Sequence, residues 1–216
     1  MSKLIQWAIE KSFRWLPDEE SELWKWSYTG GIMHESWVMP NFEHQIEKAT
    51  EGVYLAPILS KEYCNWLIAE AEALDEWSVS KKDDYAGWEI NLNRLHHGFV
   101  DNYHREVVIL QNIATRVFHG LYGWEPDGVE KCFLVKYQST TIAEMHQHHD
   151  ESSLVSVSIN LNTEFEGGDL TFIRTPEDRV SPKKGWGAIF AGNPTMMHQA
   201  HPITAGVRYV LVYWIK

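Results

Sequence analysis

Cysteine is scarce: Cys64 and Cys132 are the only two in 216 residues. Both sit in apolar stretches, so a disulfide framework is excluded and buried free thiols are expected. Basic residues are also few, 19 Lys and Arg against 30 Asp and Glu, giving a net charge of −11. A general nucleic-acid binder needs a basic surface to displace counterions from phosphates, so that class of partner is excluded. No apolar run approaches the roughly 18 residues of a membrane-spanning helix. The opening MSKLIQWAIEKSFRWLPDEE carries charges within its apolar stretch and has no small-residue cleavage site, so it is not read as a secretory signal. A reducing, cytoplasm-like compartment is the expectation. Internal repeats and low-complexity segments are lacking as well.

Core-forming residues are abundant. Apolar side chains make up 44% of the chain, with 11 Trp, 9 Tyr and 8 Phe, enough to build one packed domain of this length. Residues 1–50 are expected to be an extension packing on the core, and 51–216 the main domain. Leu4, Trp7, Ala8 and Lys11 have helical spacing over 3–16, ended by Pro17, and an irregular Trp-rich and acidic stretch follows. The extension could serve as a homodimer contact, a substrate lid or plain packing.

GVYLAPI at 52–58 reads as a short strand. Ser60 then offers an N-cap to a helix whose apolar stripe is Cys64, Leu67, Ile68, Ala71 and Leu74. Residues 77–87 suggest an exposed loop, WEINLNRL at 88–95 a strand, and 104–119 a second amphipathic helix. From 130 onward KCFLVKY, LVSVSINLN, DLTFIR, WGAIFAG and RYVLVYWI are short apolar or alternating runs between turn residues. Helices first and strands afterwards predict an α+β fold, with helices packed on a β-barrel or jelly roll.

The chemistry concentrates in HQHHDES, residues 146–152. In an extended strand His146, His148 and Asp150 share a face and His149 points away, so parity does not choose among the pairs. Downstream, NPTMMHQAHPITAGVRYVLV supplies His198 and His201, then Arg208. Two histidines and one carboxylate on one face of a metal leave coordination positions open, the arrangement of non-haem Fe(II) oxygenases. Arg208 could anchor a distant carboxylate of a co-substrate by paired, charge-assisted hydrogen bonds. Taken singly, an HxD is more often a surface or turn element, a lone histidine a satisfied partly buried one, and a lone arginine a strand-surface charge. The joint order of HxD, β pattern, His and Arg carries the signal.

GVYLAPILSKEYCNWLIAEAEALDEWS, EINLNRL, CFLVKY, HHDESS, EFEGGDLTF, SPKKGW and HQAHPITAGVRYVLV occur in this order. Together they resemble the C-terminal catalytic domain of the procollagen-lysine 2-oxoglutarate 5-dioxygenases, the lysyl hydroxylases, within the Fe(II)- and 2-oxoglutarate-dependent oxygenases. The resemblance covers roughly residues 50–216 and reaches faintly back to Trp37. It implies a double-stranded β-helix (jelly-roll) core supported by helices from the N-terminal half. It implies His148, Asp150 and His198 as metal ligands, Arg208 as the grip on the distal carboxylate of 2-oxoglutarate, and Tyr137 at the co-substrate site. His146 and His201 are then supporting or surface residues, Gly167 and Gly168 serve a tight turn or close strand approach, and Trp186 and Tyr209 are core. Ser158 and Asn160 lie on the strand after the HxD, with no role assigned.

The cofactors so implied are Fe(II), 2-oxoglutarate and O2, with ascorbate as a supporting reductant. The implied reaction hydroxylates an unactivated C–H, of a lysyl residue in a peptide or protein; Asp83, Asp84, Glu144 or Glu151 could receive its ammonium. Alternatives are a prolyl or free amino-acid hydroxylase of the same chemistry, a non-catalytic jelly-roll binding module, and a zinc hydrolase on a similar barrel. KKDDYAGWEINLN replaces a Gly-rich loop of the family, and HHDESSLVSVSINLN is one residue longer after the Asp. The family's glycosyltransferase domains have no counterpart, which leads to the expectation of a stand-alone, non-secreted enzyme.

Overall fold

The structure is a computed structural model and describes residues 45–79, 87–95, 123, 128–142 and 144–216. The helices expected at 3–16 and 104–119, the extension up to residue 44, and Lys81, Lys82, Asp83 and Asp84 of the expected loop lie outside the described residues. Two strands open the described part, β1 (Glu47–Thr50) and β2 (Val53–Pro57), paired antiparallel. Helix α1 (Lys61–Leu74) follows as expected. The Ser60 hydroxyl accepts from the Tyr63 N–H at 3.1 Å, which caps the first turn. Asp75 ends the helix in the left-handed region at φ 49°. The buried stripe is Tyr63, Cys64, Leu67 and Ala71, with Ile68 and Leu74 packed at its margin.

WEINLNRL is only half a strand. β3 (Trp88–Asn91) is extended, but the chain then turns through a short helix, α2 (Leu92–Leu95). Leu92 and Leu95 are both buried, three residues apart on one helical face, and that spacing wins over the alternation. The remaining strands are β4 (Val129–Gln138), β5 (Met145–His148), β6 (Val155–Asn160), β7 (Phe165–Gly167), β8 (Leu170–Phe172), β9 (Thr175–Val180), β10 (Trp186–Ala191), β11 (His198–Ala200) and β12 (Ile203–Ile215).

They form two antiparallel sheets. The larger has the order β1-β2-β10-β6-β12-β4-β3, with β7 also pairing β12; the smaller has the order β5-β11-β8-β9. From β4 onward the chain passes from one sheet to the other and back: β5 lies in the smaller, β6 in the larger, β8 and β9 in the smaller, β10 in the larger, β11 in the smaller, β12 in the larger. This winding is the double-stranded β-helix, so the jelly-roll expectation holds. Leu170, Phe172 and Ala200 of the smaller sheet share one apolar core with Ile189, Phe190 and Val157 of the larger.

Alternation along β12 decides what faces the site. Arg208, Val210, Val212 and Trp214 line a cavity, as do their register partners on β4, Tyr137, Val135, Phe133 and Lys131. The intervening residues face α1: the Tyr209 hydroxyl donates to Glu72 Oε1 at 3.1 Å, and Lys136 Nζ meets the same carboxylate at 2.8 Å. Both cysteines are free and buried, and burial pushes the Cys64 thiol up to about 12. Among the described residues no helix is long and apolar enough to cross a membrane.

Candidate active site

His148 is the last residue of β5, and His198 is the first of β11. The two strands pair with His148 directly opposite His198, which sets their ring centroids 4.4 Å apart. Asp150 arrives differently from the sequence expectation. β5 ends before it, so Asp150 does not share an extended strand face with His148. It opens a turn closed by the Ser153 N–H donating to the Asp150 carbonyl at 2.8 Å, and its carboxylate folds back to leave Oδ1 3.7 Å from His148 Nε2. One donor atom from each of His148, Asp150 and His198 lies within 4.8 Å of the other two.

Each imidazole is oriented through its other nitrogen. His148 Nδ1 lies 2.7 Å from the His146 carbonyl, and His198 Nδ1 lies 3.1 Å from the Met196 carbonyl. A carbonyl only accepts, so each Nδ1 carries a proton, and in a neutral ring that leaves the lone pair on Nε2. Burial pushes the His198 imidazole down to about 4, against the pull of the Asp150 carboxylate, so the ring is neutral at ordinary pH. Neutral imidazoles and an ionised carboxylate are the donor set that Fe(II) takes in non-haem oxygenases, with positions left open. His146 thus contributes its backbone, and its own ring is exposed. Asp150 is 3% exposed, and the Ser156 hydroxyl donates to its Oδ2 at 2.5 Å.

The triad opens into a cavity of about 670 Å³, which among the described residues also includes Tyr137, Ser156, Ser158 and Arg208 in its wall. Arg208 is 1% exposed, and its Nε and Nη2 donate to Asn160 Oδ1 at 3.1 and 2.9 Å. Its Nη1 is buried without a hydrogen-bond partner, and no carboxylate reaches ion-pair distance among the described residues. Burial lowers the guanidinium's pKa, opposed by Tyr137 and Asp169. A buried cation with an unmet donor calls for an anion, and the distal carboxylate of 2-oxoglutarate fits that demand. Tyr137 sits 5.6 Å from the guanidinium carbon, ring to cation, and burial pushes its phenol up to about 12.

Gly168 makes room for this arginine. At φ +75° it takes a conformation that suits glycine, and a Cβ there would lie 2.4 Å from Ile203 Cδ1 and 3.2 Å from Arg208 Cδ. The other candidates divide between the cavity wall and its surroundings. His201 bonds Thr171 Oγ1 at 2.9 Å, away from the cavity. Ser158 lines the cavity, whereas Asn160 acts on it through Arg208. Glu151 is in the wall and Glu144 is not; Glu89 of β3 is, although its sequence context gave no sign of it. Ser156 was equally silent, because its contact with Asp150 is made by a turn rather than by a strand parity.

A jelly roll with two histidines and a carboxylate at one end of its cavity and a buried arginine at the other has counterparts among known proteins. Residues 132–216 match the 2OG-Fe(II) oxygenase superfamily model. Over most of its length the chain resembles lysyl hydroxylases. It is 29% identical to the multifunctional procollagen lysine hydroxylase and glycosyltransferase of Caenorhabditis elegans over 94% of this chain and 29% of the relative. It is 28% identical to human procollagen-lysine,2-oxoglutarate 5-dioxygenase 2 over 80% of this chain and 25% of the relative. The chain therefore spans less than a third of the length of these relatives.

Solved structures share the fold. The viral collagen prolyl hydroxylase of Paramecium Bursaria Chlorella virus-1 superposes with TM-score 0.57 at 16% identity, over 76% of this chain and 95% of that one. A Pseudomonas putida prolyl-4-hydroxylase gives TM-score 0.57 at 18% identity, over 76% and 92%.

Proposed function

We propose that this protein is a 2-oxoglutarate-dependent dioxygenase that hydroxylates an unactivated C–H of a lysyl residue in a peptide or protein. The observation that carries the reading is the shared cavity: three ligand-type donor atoms within 4.8 Å of one another, and a buried arginine nitrogen without a partner in the same enclosure. His148, Asp150 and His198 would hold Fe(II). When bound, the iron together with 2-oxoglutarate and O2 supplies the oxidising power that C–H hydroxylation requires.

The chain's own residues do the positioning. The carbonyls of His146 and Met196 keep both Nε2 lone pairs directed at one point. Arg208 grips the far carboxylate of the co-substrate through Nη1, and Asn160 holds the guanidinium plane while it does so. Tyr137 stays protonated and offers an O–H donor beside that carboxylate. Val135, Val210 and Val212 wall the passage between the two ends with apolar surface and limit water there. Glu89 and Glu151 stand in the cavity wall where a cationic substrate side chain would meet them. Procollagen-lysine relatives support lysine, and the prolyl hydroxylases among the structural neighbours make a prolyl substrate the second reading.

The test supplies Fe(II), 2-oxoglutarate, ascorbate and O2 with panels of lysine peptides, proline peptides and free amino acids. Succinate should form only when Fe(II), 2-oxoglutarate, O2 and a substrate are present together, and mass spectrometry should place one added oxygen atom on a lysine residue. Product on proline moves the substrate to the second reading. No succinate with any panel removes the oxygenase reading.

A further inference from the structure

We propose that Ser156 is a positioning residue for the metal centre, holding Oδ2 of Asp150 so that the carboxylate presents only Oδ1 to a divalent cation on His148 and His198. The inference rests on the metal site proposed above and goes beyond it by assigning a residue outside the triad.

Asp150 lies in a turn, outside every strand, and a carboxylate on such a segment has no rigid scaffold of its own. Ser156 is the opposite case. It is 1% exposed on β6, paired with Phe190 of β10 on one side and Trp214 of β12 on the other. The Ser156 hydroxyl has one proton. Its two neighbours are Asp150 Oδ2 at 2.5 Å and Ser153 Oγ at 3.1 Å. Ser153 donates its own proton to the Val155 carbonyl at 2.7 Å, and an ionised carboxylate is the stronger acceptor, so the Ser156 proton goes to Asp150. The contact ties the turn to the middle of the larger sheet.

The two carboxylate oxygens are thereby given different tasks. Oδ2 is engaged by the serine, while Oδ1 faces His148 Nε2 at 3.7 Å. A carboxylate freed from that tie can rotate and offer both oxygens to a cation, closing a coordination position that the co-substrate and O2 need. Retaining the hydroxyl fixes Oδ1 toward the cation, which raises affinity by orienting the ligand, and keeps the carboxylate monodentate.

The measurement is Co2+ binding to the full chain, by calorimetry and by the visible absorption of bound Co2+, which responds to coordination number. Ser156→Thr and Ser156→Val differ only in the hydroxyl. Thr should bind Co2+ like the parent, whereas Val should bind about 10- to 100-fold more weakly, with a changed absorption band. Ser158→Ala, a cavity serine two residues along the same strand, should leave Co2+ affinity unchanged. Thermal melting without metal checks folding, and Ser156→Ala replaces the valine variant if that one melts early. Equal affinity and equal spectra for Thr and Val overturn the inference while leaving the metal site standing. An equal loss in Ser158→Ala also overturns it. A parent chain that binds no Co2+ takes down the metal site and this inference together.

Discussion

The two ends of the cavity are built on different plans. At the triad end the outward-facing ligand atoms have partners: both Nδ1 atoms face backbone carbonyls, and Oδ2 of Asp150 faces a serine. What remains are lone pairs, all aimed inward. At the arginine end a donor is left over, Nη1 of Arg208, although two neighbouring nitrogens are held by Asn160. One end thus offers electron pairs and the other offers a proton on a positive group. A cation and an anion are called for within one enclosure, and a metal chelated by a dicarboxylate satisfies both.

Variants at the two ends should therefore fail differently. The largest effect is expected from Asp150→Ala, which removes the only carboxylate of the triad: Co2+ binding and iron-dependent succinate formation should both be lost. Turnover surviving in that variant would dissolve the distinction between the ends. Arg208→Ala should raise the KM for 2-oxoglutarate by roughly 10- to 100-fold, from the about 1.5–3 kcal/mol of a hydrogen bond to a charged group. Its Co2+ affinity without co-substrate should match the parent, and a matching loss would show that the ends are not independent.

Gly168→Ala should act on the arginine end from outside it. A non-glycine residue in the left-handed region costs about 1–2 kcal/mol, and the added Cβ crowds Ile203 and Arg208. A lowered melting temperature with a raised KM for 2-oxoglutarate is expected; a lowered melting temperature alone would separate Gly168 from the site. Tyr137→Phe is the smallest, a few-fold rise in that KM for the loss of about 1 kcal/mol.

The pH arm concerns the same phenol. Its folded pKa is raised from 10.0 to about 12 by burial, so the protonated form is the one the fold prefers. The associated stability is complete below 10.0 and declines as pH climbs toward about 12, so denaturation midpoints should fall across that window and less so in Tyr137→Phe. A phenol that titrates spectroscopically near 10.0 would contradict its burial.

Much of this was legible before any coordinates. Ser60, the stripe on α1 and the alternating runs after residue 130 announce the helix, the strands and the turn-rich β half, because capping and period-two patterning are local properties. The triad was only half legible. Parity admits His146 as readily as His148, and what distinguishes them in space is the pairing of His148 with His198 across two strands fifty residues apart in sequence. Asp150 reaches the same centre by leaving the strand, which no alternation rule anticipates. The helix at Leu92–Leu95 was hidden inside an alternating run, where a buried pair three residues apart looks like part of a strand. Asn160 and Ser156 carry hydrogen bonds that depend on packing between elements, and their letters alone give no hint of a partner.

β12 has one more consequence. It lies between β6 and β4, which do not pair with each other, and it also takes β7 on its first residues. Residues 203–215 therefore join two parts of the larger sheet, β1-β2-β10-β6 on one side and β4-β3 on the other. Arg208, in the cavity wall, stands on that same joining strand, so one segment both unites the sheet and encloses the site.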